Sequence, residues 1–432
     1  LLKKKAPLEL SPEFTAVLDS IEKAGKNVFV TGRAGTGKST LLQLLRDATR
    51  KNTVVLAYTG VAALHVKGQT IHSFFGFPPR FFPSSEIKKR KDRRIFKKLE
   101  LLIIDEISMV RADLLDHIDY FLRINRNSQQ PFGGVQVALF GDLFQLPPVI
   151  ASDEESFIYH STYPSPYFFS ARVFLQGLKM EMIELTKVYR QDNKHFLRLL
   201  DNLRLNRADQ DDLDALNSRH HPDFQPEGFY ITLTARNATA DAINQRELGK
   251  LKGLEICHTA KVSGNFNPAL FPTDSILRLK TDAQVMLLKN DPERQYANGT
   301  VGRITKISDE ALTVAIEESG QTVLVTVERS AWEMLRYSVN EDEPDKIQAE
   351  TIGVFEQFPV KLAWAVTIHK AQGKTFDRVI IDLGKGAFEH GQTYVALSRC
   401  RTLEGIILRQ AIRQTDILTD ERVVDFYERF IR

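Results

Sequence analysis

The sequence predicts an α/β protein built from two lobes, with a small β-barrel inserted in the second. Three observations lead there. Over the first 190 residues, short β-rich runs alternate with helical patterns, and the runs are continuously apolar, as a parallel sheet covered on both faces requires. The same pattern resumes after Arg190. From about Ala283 to Phe358, in stretches such as "VGRITKISDEALTVAIEESGQTVLVTVE", short alternating strands and turn signals replace it, the pattern of a small antiparallel barrel.

In the first lobe the expected strands are "NVFVT" (27–31), "TVVLAYT" (53–59), "LLIID" (101–105) and "VQVALFGD" (135–142). Between the second and third, "FGFPPRFFPSSEIKKRKDRR" mixes proline, aromatics and charge, which suits an excursion better than a strand or helix. The first lobe is therefore expected at 1–76 and 99–190, with a small subdomain at 77–98. The second takes 191–282 and 359–410, with strands at "GFYITLTARN" (228–237), "VIIDLG" (379–384) and "GIILRQ" (405–410). The insertion occupies 283–358, and 411–432 form a C-terminal helical segment. The acidic run "NEDEPDK" (340–346) reads as a solvated loop.

With 432 residues and 43% apolar content, the chain can bury two or three cores. No apolar run reaches the length of a membrane span, and the opening "LLKKKAPLEL" lacks the apolar core and cleavage site of a signal peptide. An intracellular protein is expected, in the cytoplasm or nucleoid if the source is bacterial. The two cysteines, Cys257 and Cys400, exclude a disulfide framework, and Cys257-His258 reads as a buried Cys beside a surface His rather than half of a metal site. Charge is uneven: residues 86–98 hold eight Lys/Arg against two acidic residues, and the rest of the chain holds 50 against 53. One segment makes the protein basic, either as a solvated face or as a contact for a phosphate backbone.

"GRAGTGKS" (32–39) follows an expected strand and precedes the helical "STLLQLLRDATR", matching a P-loop in sequence and context. Gly35, Thr36, Gly37, Lys38, Ser39 and Thr40 form the nucleotide-binding set: glycines let the backbone wrap phosphates, the helix N-terminus offers amides, Lys38 reaches the β/γ-phosphates, and Ser39 can bind Mg²⁺. In "LLIIDEIS", Asp105 can hold the metal, mostly through its waters, and Glu106 can activate the attacking water. Asp142 and Gln145 end the next strand, where Gln145 is placed to sense the γ-phosphate. Hydrolysis also needs an arginine against the transferring group. The first lobe offers only Arg33 near the loop, so Arg190 in "LTKVYRQ" and Arg399 in "YVALSRCR" enter as candidates, although nothing local separates them from other arginines.

Taken in order, "GRAGTGKST", "AYTGVAALHVKGQTIHSFF", "LLIIDEISMV", "GGVQVALFGDLFQLPPV", "LTKVYRQ", "LTARNATADAINQREL", "NGTVGRI", "LAWAVTIHKAQGKTFDRVIIDL" and "TYVALSRCR" resemble the motif series of superfamily-one helicases. The stretch "EISMVRADLLDHIDYFLRINRNS" resembles a signature of the Pif family within it. The resemblance runs from about Leu10 to Arg401 and implies two RecA-like lobes, a wedge subdomain at 77–98, a Src-homology-like barrel at 283–358, ATP and Mg²⁺ as cofactors, and 5′-to-3′ movement on single-stranded DNA. It makes Arg190 and Arg399 the arginines that reach across the cleft and Gln145 the sensor. Backbone contacts to DNA fall to Thr59, Gly60, His72, Ser73, Thr234 and Asn237. In "TIHKAQGKT" it assigns Thr367, His369 and Lys370 to the strand, and Gln372 and Gly373 to the γ-phosphate. The "GKT" there is not a second P-loop, because Ile368 stands where the leading glycine belongs. Forked or tailed duplexes, G-quadruplexes and RNA–DNA hybrids are substrates of the family, and a monomer in solution is expected.

One position departs from the family pattern. Phe14 stands where a Gln that reads adenine is usual, and it either stacks on the base or packs in the core. Two rival functions remain: a translocase that strips proteins without separating strands, which a wedge residue would discriminate, and a P-loop kinase, which leaves the second lobe's motifs unexplained.

Overall fold

A computed structural model describes residues 11–431, apart from 151–158, 160, 192 and 319. The opening decapeptide, part of the expected first lobe, lies outside the described residues. Among those residues no helix is long and apolar enough to cross a membrane.

The first lobe is a six-stranded, all-parallel sheet: β1 (Asn27–Gly32), β2 (Thr53–Ala57), β3 (Gln69–Thr70), β4 (Leu101–Asp105), β5 (Gln136–Phe140) and β6 (Met180–Leu185), in the order β3-β2-β4-β5-β1-β6. Successive side chains enter opposite cores. Phe29, Leu102, Ile104 and Leu139 pack on one face, and Val28, Val30, Ile103 and Phe140 on the other. Burial on both faces explains why these strands read as continuous apolar runs. β6 escapes that signal because "MEMIEL" is an edge strand, half-buried for most of its length, with Glu alternating against Met.

The 77–98 excursion has no core of its own. Phe77, Phe82, Ile87 and Phe96 are buried in the first lobe's core, where Phe96 meets Phe121 edge-on at 4.8 Å and Phe75 stacks on Phe77 at 5.3 Å. Lys88 and Lys91 face solvent.

The second lobe opens with β7 (Ile231–Thr234) and the helix Asn237–Lys250, after which the chain leaves the lobe. β8 (Ile256–Thr259) and β10 (Ile276–Leu279) form an antiparallel pair. β9 (Lys261–Gly264) joins the long hairpin of β15 (Ser330–Val339) and β16 (Ile347–Gln357), with Gly264 opposite Gly353. A second sheet runs β14-β13-β12-β11-β17, from β11 (Gln284–Leu287), β12 (Val301–Ile307), β13 (Ala311–Glu318), β14 (Gln321–Glu328) and β17 (Val360–Leu362). The chain returns through β18 (Ala365–Thr367), β19 (Val379–Asp382) and β20 (Ile406–Leu408), which complete the parallel sheet β18-β7-β19-β20.

Three expectations need correction. The β-rich insertion starts near 256, not 283, and among the described residues no pairing joins β14 to β17 to close a barrel. Its early strands are short and, in β9, exposed at every position, so they carry no burial period. The "NEDEPDK" loop is more than solvated: Asn52 of the first lobe donates to the Asp345 carbonyl (2.8 Å) and accepts from Ile347 N (3.0 Å), and Lys98 pairs with the Asp345 carboxylate at 2.5 Å. Nearby, the Tyr337 hydroxyl accepts from Val55 N at 3.1 Å. Finally, Cys257 is exposed and His258 buried, since strand alternation turns the imidazole inward onto Phe358, ring centroids 4.9 Å apart.

The lobes meet around Arg204, at the end of the helix Lys194–Arg204 and 2% exposed. Its guanidinium lies 3.5 Å from the Asp142 carboxylate and 3.4 Å from Glu184, between the rings of Phe144 and Tyr427, 4.4 and 5.0 Å from their centroids. Tyr427 comes from the C-terminal helix Glu421–Ile431, where Phe426 stacks on Phe169 at 4.3 Å. Removing the cation strands Asp142 in a dry site. Arg204→Leu is expected to destabilise the protein by about 3 kcal/mol or more, seen as a lowered thermal midpoint; an unchanged midpoint would show that the charge is dispensable.

Candidate nucleotide site and strand-facing residues

The P-loop leaves β1 and ends at the helix Lys38–Ala48. Two of its glycines are required by geometry. Gly35 has φ +84° and lies so near Arg190 that a Cβ would sit 2.5 Å from the arginine's own; Gly37 has φ +87°, with the Phe14 ring 3.1 Å from where its Cβ would be. The loop thus rests on Phe14 beneath and on Arg190 beside it, at the junction between the lobes. Of the two roles open to Phe14, packing is the one it plays: it is 4% exposed among Val17, Ile21 and Leu41.

The cleft, of about 400 Å³, is lined by residues of both lobes, including Gly35, Lys38, Glu106, Gln145, Arg190 and Arg399. Lys38 Nζ donates to the Gly32 and Arg33 carbonyls at 2.7 and 3.0 Å, and burial lowers its pKa against the pull of Asp142 and Glu106. Asp105 ends β4, and burial, then Glu106, pushes its carboxyl up to about 7. Glu106 holds φ +50°, a conformation rare outside glycine, and burial raises its pKa as well. Two poorly solvated carboxyls side by side are a donor set that suits a divalent ion, with Ser39 exposed at the loop's end.

The arginines behave alike. Burial, then Arg399, pushes Arg190 down to about 9, and burial lowers Arg399, which is 1% exposed. Neither has a carboxylate partner among the described residues. Arg190 donates to the carbonyls of Ser398 (3.2 Å) and Gly373 (3.3 Å), and Arg399 to those of Val395 (2.9 Å) and Lys374 (3.4 Å). Arg33, by contrast, is spent on Asp201 at 2.5 Å.

Gln145, Gln372 and Glu106 form a chain between lobes. Gln372 Nε2 donates to Gln145 Oε1 at 2.9 Å and lies 3.5 Å from Glu106 Oε2, while Gln145 Nε2 donates to Asp142 at 3.2 Å. Beside it stands a residue the sequence did not single out. Tyr394, buried in the second lobe, accepts from the P-loop amide of Ala34 (3.1 Å) and donates to Asp142 (3.2 Å). Arg401 and Tyr189 also line the cleft; both lie within quoted motifs, but only their neighbours were chosen.

The strand-facing expectations divide. Ser73, Asn237 and Lys370 are exposed, and His72 and His369 half-buried, with His369 Nε2 3.1 Å from Glu389. Thr234 and Thr367 are buried opposite each other in register, and the Thr367 hydroxyl caps its own helix by accepting from Lys370 N. Thr59 likewise caps the helix Gly60–His65, and Gly60 is covered by Leu270 of the insertion.

Two lobes that share one phosphate cage define a P-loop nucleoside triphosphatase of the two-lobed motor class. A model described as PIF1-like helicase matches residues 9–215. The ATP-dependent DNA helicase Pif1 of Bdellovibrio bacteriovorus is 33% identical, covering 98% of this chain and 92% of that protein. The ATP-dependent DNA helicase PIF1 of Danio rerio is 35% identical, though the chain spans 64% of its length. The structure of Bacteroides sp Pif1 in complex with ADP-AlF4 superposes with a TM-score of 0.91 at 38% identity, each chain 98% covered; the same protein bound to ssDNA gives 0.69 at 39% identity over the same coverage. The chain belongs to the Pif1-like helicases.

Lys38 is expected to act on phosphate and not on the strand. Lys38→Ala should reduce ATP hydrolysis by at least about 10³-fold while oligothymidine affinity, measured by fluorescence anisotropy, changes little; loss of both would show that the two sites are not separate.

Proposed function

We propose that the chain is an ATP-dependent DNA helicase that moves 5′ to 3′ on single-stranded DNA and opens duplexes. The observation that carries this reading is the set of Lys38, Arg190 and Arg399, three cations around one cleft with no carboxylate ion-paired to the arginines among the described residues. A triphosphate is the anion that satisfies all three. Lys38 and the loop amides hold it from the first lobe, Arg190 grips it from the junction between the lobes and Arg399 from the second lobe, and Glu106 orients the water. Mg²⁺, held by Ser39 and Asp105, would neutralise phosphate charge when bound. Gln372, on the turn after the strand motif, reports occupancy to Gln145. After hydrolysis the arginines lose their partner and the lobes are free to part, so strand grip alternates between Ser73 and His72 on one lobe and Asn237, His369 and Lys370 on the other.

Entry of the strand requires rearrangement. This arrangement is nearer that of the nucleotide-bound relative than that of its ssDNA-bound form. The contacts of Leu270 on Gly60 and Tyr337 on Val55 are the ones that must give way. The 77–98 excursion, with Lys88 and Lys91 outward, is assigned to the wedge, and the β-rich insertion to the family's Src-homology-like domain. Forked or tailed duplexes, G-quadruplexes and RNA–DNA hybrids are proposed substrates, a monomer the proposed state in solution, and an intracellular site the setting.

A second reading, a translocase that displaces proteins without unwinding, is favoured by one observation: three of the excursion's four phenylalanines, Phe77, Phe82 and Phe96, are buried, and the fourth, Phe81, is half-buried under Arg111. Matched duplexes with a 5′ or a 3′ tail discriminate. Opening of the 5′-tailed duplex alone, with ATP, is expected; strand-stimulated hydrolysis with neither duplex opened would leave the translocase.

A further inference from the structure

The sequence "HKAQGKT" contains a lysine that neither the P-loop nor the strand assignments use. Lys374 sits between Gly373 and Thr375, both of which line the nucleotide cleft, yet its side chain leaves that cleft. Nζ donates to Asn298 Oδ1 of the insertion at 3.1 Å, beside Gly299, whose Cβ, if present, would lie 3.5 Å from that of Lys374. On this side the charge that weighs on Lys374 is the positive one of Lys361, which itself lies within reach of Asp274 and Asp241. Burial, then Lys361, pushes Lys374 down to about 8; His65, at the end of the helix that begins at Gly60, is lowered by burial and then by Lys374; Lys361 is lowered by burial and then by Lys370. Among the described residues no carboxylate pairs with Lys374. Lys374 of the second lobe and Lys361 of the insertion, set against a neutral amide and an imidazole that burial keeps uncharged, are poised for an anion that passes between lobe and insertion.

The main chain of the same turn faces the other way. The Gly373 carbonyl accepts from Arg190 and the Lys374 carbonyl from Arg399, so both cleft arginines rest on the turn that carries the lysine. We propose that Lys374 binds a phosphate of the single strand in place of Asn298 and, by drawing the 373–374 turn toward it, resets Arg190 and Arg399. It is a positioning residue that makes strand binding felt at the nucleotide. This rests on the helicase reading above, since it takes the strand as the threading anion.

Linkage gives the test. A strand that shifts the turn must tighten nucleotide binding by the same factor by which nucleotide tightens strand binding. Oligothymidine affinity would be measured across a salt series, with and without a non-hydrolysable ATP analogue, for wild type, Lys374→Gln and Lys374→Arg. Gln keeps a donor for Asn298 without the charge; Arg keeps the charge. For Lys374→Gln the slope of log affinity on log salt is expected to become shallower by about 0.7, one phosphate contact on a single strand, and the coupling factor to fall toward one. Lys374→Arg should keep the wild-type slope, which shows that the site tolerates substitution. A wild-type slope in Lys374→Gln would overturn the phosphate contact, and a wild-type coupling factor with a reduced slope would overturn the positioning role. Wild-type protein without salt-dependent strand binding would sink the helicase reading itself, a different failure.

Discussion

The architecture depends on gathering three cations around one cleft, where Glu106 and Asp142 lie within electrostatic reach of Lys38 and Arg399. Lys38, Arg190 and Arg399 are each lowered in pKa by burial, and each of the arginines also has the other or Glu106 within electrostatic reach. Like charges in a poorly hydrated cleft repel. They stay in place because each donates to backbone carbonyls that cannot move independently of the packed lobes, and because Tyr394 clips the second lobe to the P-loop amide of Ala34. The cleft is therefore preorganised for a polyphosphate, which would meet its donors already in place.

That constraint explains the placement of much else. Asp142 is buried where it can answer Gln145, Tyr394 and Arg204 at once, so the lobe junction and the γ-phosphate region share one carboxylate. The C-terminal helix closes this junction through Tyr427, whose hydroxyl donates to Glu184 at 2.8 Å. On the far side, the long β15–β16 hairpin carries the insertion back to the first lobe, which it meets through Tyr337 on Val55 and through its connecting loop on Asn52. The lobes are thus joined at the nucleotide by polar contacts, and at the insertion by hydrogen bonds together with apolar contacts such as Leu270 on Gly60 and Tyr337 edge-on to Phe74 at 6.1 Å.

What the sequence revealed follows the range of the interactions concerned. The P-loop and Asp105-Glu106 were legible because their chemistry is local: glycines, lysine and carboxylates act within a few residues of one another. Arg190 and Arg399 were legible only through family resemblance, since nothing within "LTKVYRQ" or "LSRCR" says what lies across the cleft. Tyr394 was not legible at all, because its partners stand 360 and 252 residues away. The same reason hid the docking of "NEDEPDK" on Asn52, and short exposed strands such as β9 left no hydrophobic period to find. Phe14 shows the converse: composition allowed two roles, and only packing against Gly37 decided between them.

Arg399 of the second lobe is expected to act on the phosphate transferred in the first. Single-turnover ATP hydrolysis at saturating single-stranded DNA, compared between wild type and Arg399→Ala, tests it most directly. The account predicts a rate lower by about 10³-fold, the scale of a lost arginine finger, with nucleotide still bound. A rate within threefold of wild type would contradict it and leave the cleft a binding site whose second wall takes no part in the chemistry.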